Sequence, residues 1–299
     1  MRSPSTLELT RGSNRAMLHT AGAALQSLVV GGLDLVVGYP PGPQRAGFRG
    51  ALLLPWPNRL RDGCYEFDGV EYQAPLNEVP RRNALHGLLA WTEFSVLERT
   101  QGTAQLHATV PAQPAYPSRL EVEVLLELLD DGLRTTVRAL NVGDRAAPYG
   151  VSTHPYLRCS TGMVDDWTLQ VAADEVVEVD ERMLPTGRLL DARQIGLDFR
   201  QPTSLRDVQL DHCFRRAGDS QNAWAELRAS NGVGVRITAP GTWAQWWQVF
   251  TSDTTPGTLR RAAVALEPMT CPPDAFNTDE AFVLGPGAHH EVSWTITAV

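Results

Sequence analysis

Four short stretches of the 299-residue chain place ionisable side chains beside glycine or proline, where strands end and loops begin: PWPNRLRDG (55–63), NALHGLLAW (83–91), STHPYL (152–157) and EPMTCPPDAFN (267–277). Loops carried on a rigid scaffold are where functional side chains concentrate. His154 precedes Pro155, which biases it toward an extended backbone, and Tyr156 falls on the same side two residues later. That arrangement suits a fixed, projecting imidazole, the side chain whose proton exchanges nearest neutral pH. It equally suits a histidine satisfied by backbone hydrogen bonds at a strand terminus. Glu267 ends the apolar run AAVAL and precedes Pro268. Alternation can set its carboxylate at the rim of the core, where loss of water tunes its acidity, although an exposed turn glutamate has the same surroundings in sequence.

Asp211 in QLDHCF and His86 in LHGLL are polar residues embedded among apolar ones. Buried polar groups require partners, and a ligand can supply them. Arg59 follows Asn58 in a proline-framed loop and offers a fork of donors for hydroxyls or carboxylates, or half of a surface ion pair. His212, adjacent to Asp211, faces the opposite side of a strand and is left out of the site. His289 and His290 diverge for the same reason, which is poor metal-ligand geometry, so no metal site is expected. GVSTH has the wrong fifth residue for a GxSxG elbow, and neither GxGxxG nor a P-loop is present.

The elements that must hold these residues read as strand after strand. RLEVEVLLELLDDGLRTTVRALNV (119–142) alternates on both sides of Asp130-Asp131-Gly132, a hairpin signal. Further runs are WTLQVAADEVVEV (167–179), GVGVRITAP (232–240), QWWQVFTS (245–252), RAAVALEP (261–268) and HEVSWTITAV (290–299). No long amphipathic helix, linker-like shift in composition or fixed-period repeat interrupts them. The expected fold is all-β, a large antiparallel β-sandwich forming a single domain over residues 1–299, for which 43% hydrophobic residues suffice. With 26 basic against 34 acidic residues and no basic cluster, nucleic acid is not an expected partner. The N-terminus lacks the apolar stretch of a signal peptide and no run approaches a membrane span, so the expected setting is cytoplasmic, without a membrane. Cys64, Cys159, Cys213 and Cys271 match neither a compact disulfide framework nor zinc-ligand pairs and are expected to be free and mostly buried.

Taken in order, the stretches resemble the aldose 1-epimerase (mutarotase) family over nearly the whole chain. LLPWPNRLRDGCYEFDGVEYQAPLNE is similar to its asparagine-arginine loop, NALHGLLAWTEFSV to its histidine-glycine motif, and YPSRLEVEVLLEL to its Tyr-Pro lead into a long strand. THPYL resembles the catalytic-histidine motif, LDHCF the binding-aspartate motif, and ALEPMTCPPDAFN the catalytic-glutamate motif. The PWPNR and EPMT forms are more similar to a less-characterised bacterial branch than to the galactose enzymes.

The resemblance implies a galactose mutarotase-like supersandwich that interconverts the α and β anomers of an aldose without a cofactor. It implies His154 as general acid and Glu267 as general base, with Arg59, His86, Asp211, Asn58, Tyr156 and Gln248 holding sugar hydroxyls. A nearby carboxylate, with Asp211 a candidate, would raise the His154 imidazole toward neutrality while Glu267 stays ionised. Among Trp56, Trp91, Trp246 and Trp247, one is expected against the sugar and the rest in the core. Leu157 where many members carry phenylalanine, a missing second glycine after His86, and Met269 in place of a polar residue alter the pocket lining, and so the substrate more than the mechanism. Two alternatives stand: a hexose-6-phosphate mutarotase drawing on Arg81-Arg82 or Arg215-Arg216, and a carbohydrate-binding or sugar-sensing protein without turnover. The state of assembly is a monomer or a homodimer.

Overall fold

The computed structural model of the chain describes residues 6–39, 45–216, 218 and 222–299. Alternating sequence becomes alternating burial: in Thr103–Val110 and Leu120–Leu128 every second side chain is buried, as expected for a sheet with one face on a core. These strands belong to a nine-stranded sheet in the order Ser95–Arg99, Thr103–Val110, Leu120–Leu128, Gly132–Asn141, His289–Ala298, Gly234–Pro240, Asn222–Ala229, Trp167–Val171 and Thr203–Ser204. The expected hairpin closes at Asp130-Asp131, with Leu128 opposite Leu133. A four-stranded sheet, Thr6–Arg11 to Leu33–Asp34, packs on the Leu120–Leu128 and Gly132–Asn141 strands.

A six-stranded sheet carries four of the candidate site residues: Tyr156–Leu157, Val264–Met269, Trp246–Phe250, Asp211–Arg216, Ala173–Val179 and Pro185–Asp191. All its pairings are antiparallel. The run 167–179, read as one stretch, is two strands: Trp167–Val171 lies in the nine-stranded sheet and Ala173–Val179 in the six-stranded one, so the chain changes sheets at Ala172. The main core gathers Leu9, Leu18 and Leu28 of the four-stranded sheet, Leu106, Val124 and Ile237 of the nine-stranded sheet, and Phe214, Trp247, Val249 and Leu266 of the six-stranded sheet. The architecture is therefore the all-β antiparallel sandwich that the strand pattern implies.

Helical structure among the described residues is confined to three-residue 3₁₀ turns. No helix there is long and apolar enough to cross a membrane. All four cysteines are free, and three are buried, with Cys64 partly exposed.

Candidate active site

Register brings four of the expected residues onto one face of the six-stranded sheet. Glu267 pairs with Gln248, and Gln248 with Cys213; Asp211, two residues before Cys213, shares that face. Tyr156 pairs with Ala265, two residues before Glu267. The alternate residues Leu157, Leu266, Val249 and Phe214 point into the main core. Val264–Met269 is buried on both faces because loops cover the second one, and there Glu267 is only 1% exposed.

The cover is built from the other two motifs. Arg59–Arg61 pairs with Asn83–Leu85, setting Arg59 opposite Leu85. At its end Asn58 and His86 both adopt the left-handed conformation, at φ 56° and 64°. They clasp each other: the His86 N–H donates to the Asn58 carbonyl at 2.9 Å and the Asn58 N–H donates to His86 Nδ1 at 3.2 Å. Nδ1 is thereby an acceptor, so the proton of the neutral ring sits on Nε2. Burial holds His86 well below its ordinary range, with the charges of His154 and Arg59 adding to it. Gly87 makes the next turn possible: at φ +71° its missing Cβ would lie 2.3 Å from the Leu54 carbonyl oxygen.

His154 sits between the short strands Ser152–Thr153 and Tyr156–Leu157. Its N–H donates to the Ala51 carbonyl at 3.0 Å and its carbonyl accepts from the Gly50 N–H at 2.8 Å. The backbone bonds of a strand-end histidine are thus present, yet they leave the imidazole to other work. Tyr156 stacks parallel to the ring, with centroids 5.0 Å apart and planes 6° apart, and His86 meets it edge-on at 5.2 Å. His154 Nε2 lies 3.4 Å from Glu267 Oε1. His154 Nδ1 and Glu267 Oε2 are buried with no hydrogen-bond partner, the condition in which a ligand's polar groups are needed.

These groups open into one cavity of about 240 Å³, lined by Asn58, Arg59, His86, His154, Tyr156, Asp211, Gln248 and Glu267, so all eight expected residues meet there. At its open side Gln248 Nε2 donates to Asp211 Oδ1 at 2.7 Å, and Arg59 Nη2 lies 3.7 Å from Asp211 Oδ2. His212, on the core side of its strand beside Phe214, is not part of the lining. Among the described residues no group of three or more His, Cys, Asp or Glu side chains gathers in a way that could hold a metal ion.

The electrostatics differ from the expectation. Burial drives the His154 imidazole down to about 3, its own backbone carbonyl opposing and Arg49 and Arg45 adding to the fall. Burial likewise pushes the Glu267 carboxyl well above its ordinary value, with Asp211 reinforcing and Arg59 opposing. Burial thus disfavours the charged form of both groups, which lie 3.4 Å apart. Asp211 is not the carboxylate beside His154; Glu267 is.

The tryptophans also fall elsewhere. Trp56, Trp246 and Trp247 are buried, and Trp91 is 48% exposed outside the cavity; the aromatic lining is Phe48, Tyr156 and Phe250. A lining residue that sequence reasoning missed is Glu78, whose two carboxylate oxygens accept from Arg59 Nε at 3.0 Å and Nη2 at 3.1 Å. Asn83 and Arg81 donate to it as well. Burial alone would raise its carboxyl, but those bonds and the Arg59 charge hold it below the ordinary value. The only signal in sequence was that a buried Arg59 needs a counter-ion, which NEVPRRN could supply.

Comparison with known proteins agrees with this geometry. A sequence model of the aldose 1-epimerase family matches residues 5–297. The chain is 35% identical to the uncharacterised protein YihR of Escherichia coli over 98% of its own length and 93% of that protein. It is 26% identical to the galactose mutarotase of Homo sapiens over 75% of its length and 68% of that protein. Its fold superposes on the GalM/aldose epimerase homologue of C. elegans with a TM-score of 0.87 at 20% identity over 99% of each chain. It also superposes on the galactose 1-epimerase of Lactobacillus acidophilus with a TM-score of 0.84 at 19% identity, covering 100% of this chain and 95% of that one. The chain belongs to the aldose 1-epimerase family, isomerases that act on carbohydrates.

Proposed function

We propose that this protein interconverts the α and β anomers of a free aldose in the cavity described above, with Glu267 and His154 as its proton-transfer pair. The observation that carries the reading is the 3.4 Å approach of His154 Nε2 to Glu267 Oε1, each with a further buried atom lacking a partner. In ring opening the Glu267 carboxylate takes the proton of the anomeric hydroxyl. The carbonyl forms as the bond from the anomeric carbon to the ring oxygen breaks, and His154 Nε2–H gives its proton to that oxygen. After rotation about the adjacent carbon–carbon bond the two groups exchange duties and the ring closes on the other face. Each transfer contributes about 10²- to 10⁴-fold.

Ring opening begins from the carboxylate and imidazolium, the charged pair that burial disfavours, and ends with an acid and a neutral imidazole, the pair that burial prefers; the 3.4 Å contact lets a proton pass between the two groups to form the reactive pair. The neutral His86 donates Nε2–H to a sugar oxygen; Arg59, Asp211, Gln248 and Asn58 hold hydroxyls toward the open side, and the Tyr156 ring orients His154.

A sugar phosphate finds less support. Arg81 lines the cavity but is bound to Glu78 at 3.0 Å, Arg82 pairs with Asp62 at 3.5 Å and Arg215 with Glu175 at 3.4 Å. Pure binding would need no proton-transfer pair. Saturation-transfer NMR of anomer exchange across aldoses, including glucose and glucose 6-phosphate, tests the proposal. Acceleration is expected for at least one free sugar and to be weaker for the phosphate; exchange at the uncatalysed rate for every sugar would refute catalysis.

A further inference from the structure

Arg49 is buried to 2% exposure, and its Nε and Nη1 have no hydrogen-bond partner. Among the described residues no carboxylate pairs with it. Its neighbour Arg45 is also buried, but both of its terminal nitrogens donate, to the carbonyls of Ala21 and Ala90, and only its Nε lacks a partner. A guanidinium stays charged in a protein, and a buried charge without a partner is costly. What Arg49 touches instead is Tyr156, whose ring lies 3.9 Å below its Cζ. That ring is the one stacked on His154, and its hydroxyl is fixed by donating to the Gly47 carbonyl at 3.1 Å. Arg49 and His154 thus both pack on the Tyr156 ring, so an uncompensated positive charge and the proton-transfer imidazole share one aromatic neighbour. Arg49 does not line the cavity.

The groups that face His154 come from every side of the pocket: Glu267 at 3.4 Å, the His86 ring at 5.2 Å, and the stacked Tyr156 ring. Arg49 and Arg45 lie behind it, while Arg59 and Asp211 act across the cavity on Glu267. Of these charges, Arg49 alone reaches His154 through one shared ring while lacking a hydrogen-bonded or ionic partner of its own among the described residues.

We propose that Arg49 is a positioning residue whose buried charge, acting through the Tyr156 ring, makes the His154 imidazolium a stronger acid and drives its proton onto the sugar's ring oxygen. The inference rests on the proposed role of His154. A like charge reaching His154 through one shared ring, at an effective dielectric constant of about 20, is worth about one pH unit.

Two readouts test it, one of which needs no turnover. NMR titration of the His154 ring in the ligand-free protein is expected to show its midpoint about one unit higher in Arg49→Met than in wild type. Arg49→Lys, which keeps the charge and loses the planar fork, should leave the midpoint near the wild-type value. In turnover, Arg49→Met should move the limb of the kcat–pH profile that reports His154 upward by about one unit, leave the Glu267 limb in place and keep KM within about twofold, whereas Arg49→Lys should leave both limbs in place. An unmoved midpoint in Arg49→Met, or one moved as far by Arg49→Lys, overturns the proposal. If Arg49→Met moves the midpoint while wild type fails to exchange anomers of any sugar, the link from Arg49 to His154 stands and the proposed function falls.

Discussion

At the scale of single residues, burying an imidazole beside a carboxyl group disfavours the charged form of each, and this gives Glu267 a measurable cost. Its folded value is raised above the ordinary 4.5, so its contribution to stability is intact below pH 4.5 and is lost as pH rises through the folded value. Glu267→Gln, which stays neutral, is therefore expected to equal wild type in thermal stability near pH 4 and exceed it increasingly toward pH 8, while losing activity. Unfolding scans at both pH values check this; a gap that shrinks with rising pH would contradict it. His154 has the opposite sign: its folded value is depressed to about 3 from 6.5, so its contribution is present above pH 6.5 and fades toward pH 3. Most residues in contact with the cavity were legible in the sequence because proline and glycine framed them, Asp211 because it is polar among apolar neighbours, and Gln248 only through the family resemblance. Their proton affinities were not, because burial is a tertiary property: alternation allowed Glu267 a place at the rim, and only the covering loops remove it from water. Arg49 was illegible for the same reason, since nothing near it in sequence reveals that it stacks on Tyr156.

At the scale of elements, the site is held by the ladder of the six-stranded sheet and by the small hairpin-like cover over it. Two substitutions probe the cover. Gly87→Ala would force a side chain into a left-handed position, with its Cβ 2.3 Å from the Leu54 carbonyl oxygen that also accepts from the Leu88 and Leu89 N–H groups. Loss of at least about 1 kcal/mol is expected, together with a fall in kcat/KM as His86 is displaced; unchanged denaturation and kinetics would contradict the assigned role of the turn. Arg59→Met removes two hydrogen bonds to Glu78, the two side chains being 10% and 11% exposed, while Arg81 and Asn83 still donate to it, and should cost about 1.5–3 kcal/mol in urea unfolding. Adding Glu78→Gln should recover part of that loss. Strand identities could be read from period-two alternation, including the Asp130-Asp131-Gly132 hairpin. The change of sheet at Ala172 could not, because an apolar run keeps its alternation when it leaves one sheet and joins the next.

At the scale of the whole molecule, two large sheets bury their shared faces and leave the far side of the six-stranded sheet to be closed by loops, and the candidate site residues line one cavity there. Family membership and fold agree with that layout, and the sequence motifs anticipated it because their order along the chain tracks the strands that converge there. The substrate was less legible, since departures such as Leu157 and Met269 lie within the core and sheet and carry no signature of a particular sugar. The central claim is that Glu267 and His154 act as one proton-relay unit. Polarimetric rates of anomer interconversion for wild type, His154→Ala, Glu267→Ala and the double variant test it most directly, on a sugar that wild type accelerates. Each single substitution is predicted to lower kcat/KM by about 10²- to 10⁴-fold, and the double variant to be little worse than either, as expected of groups that work only together. A single variant that keeps the wild-type rate, or a double variant showing the full product of the two losses, would contradict the account.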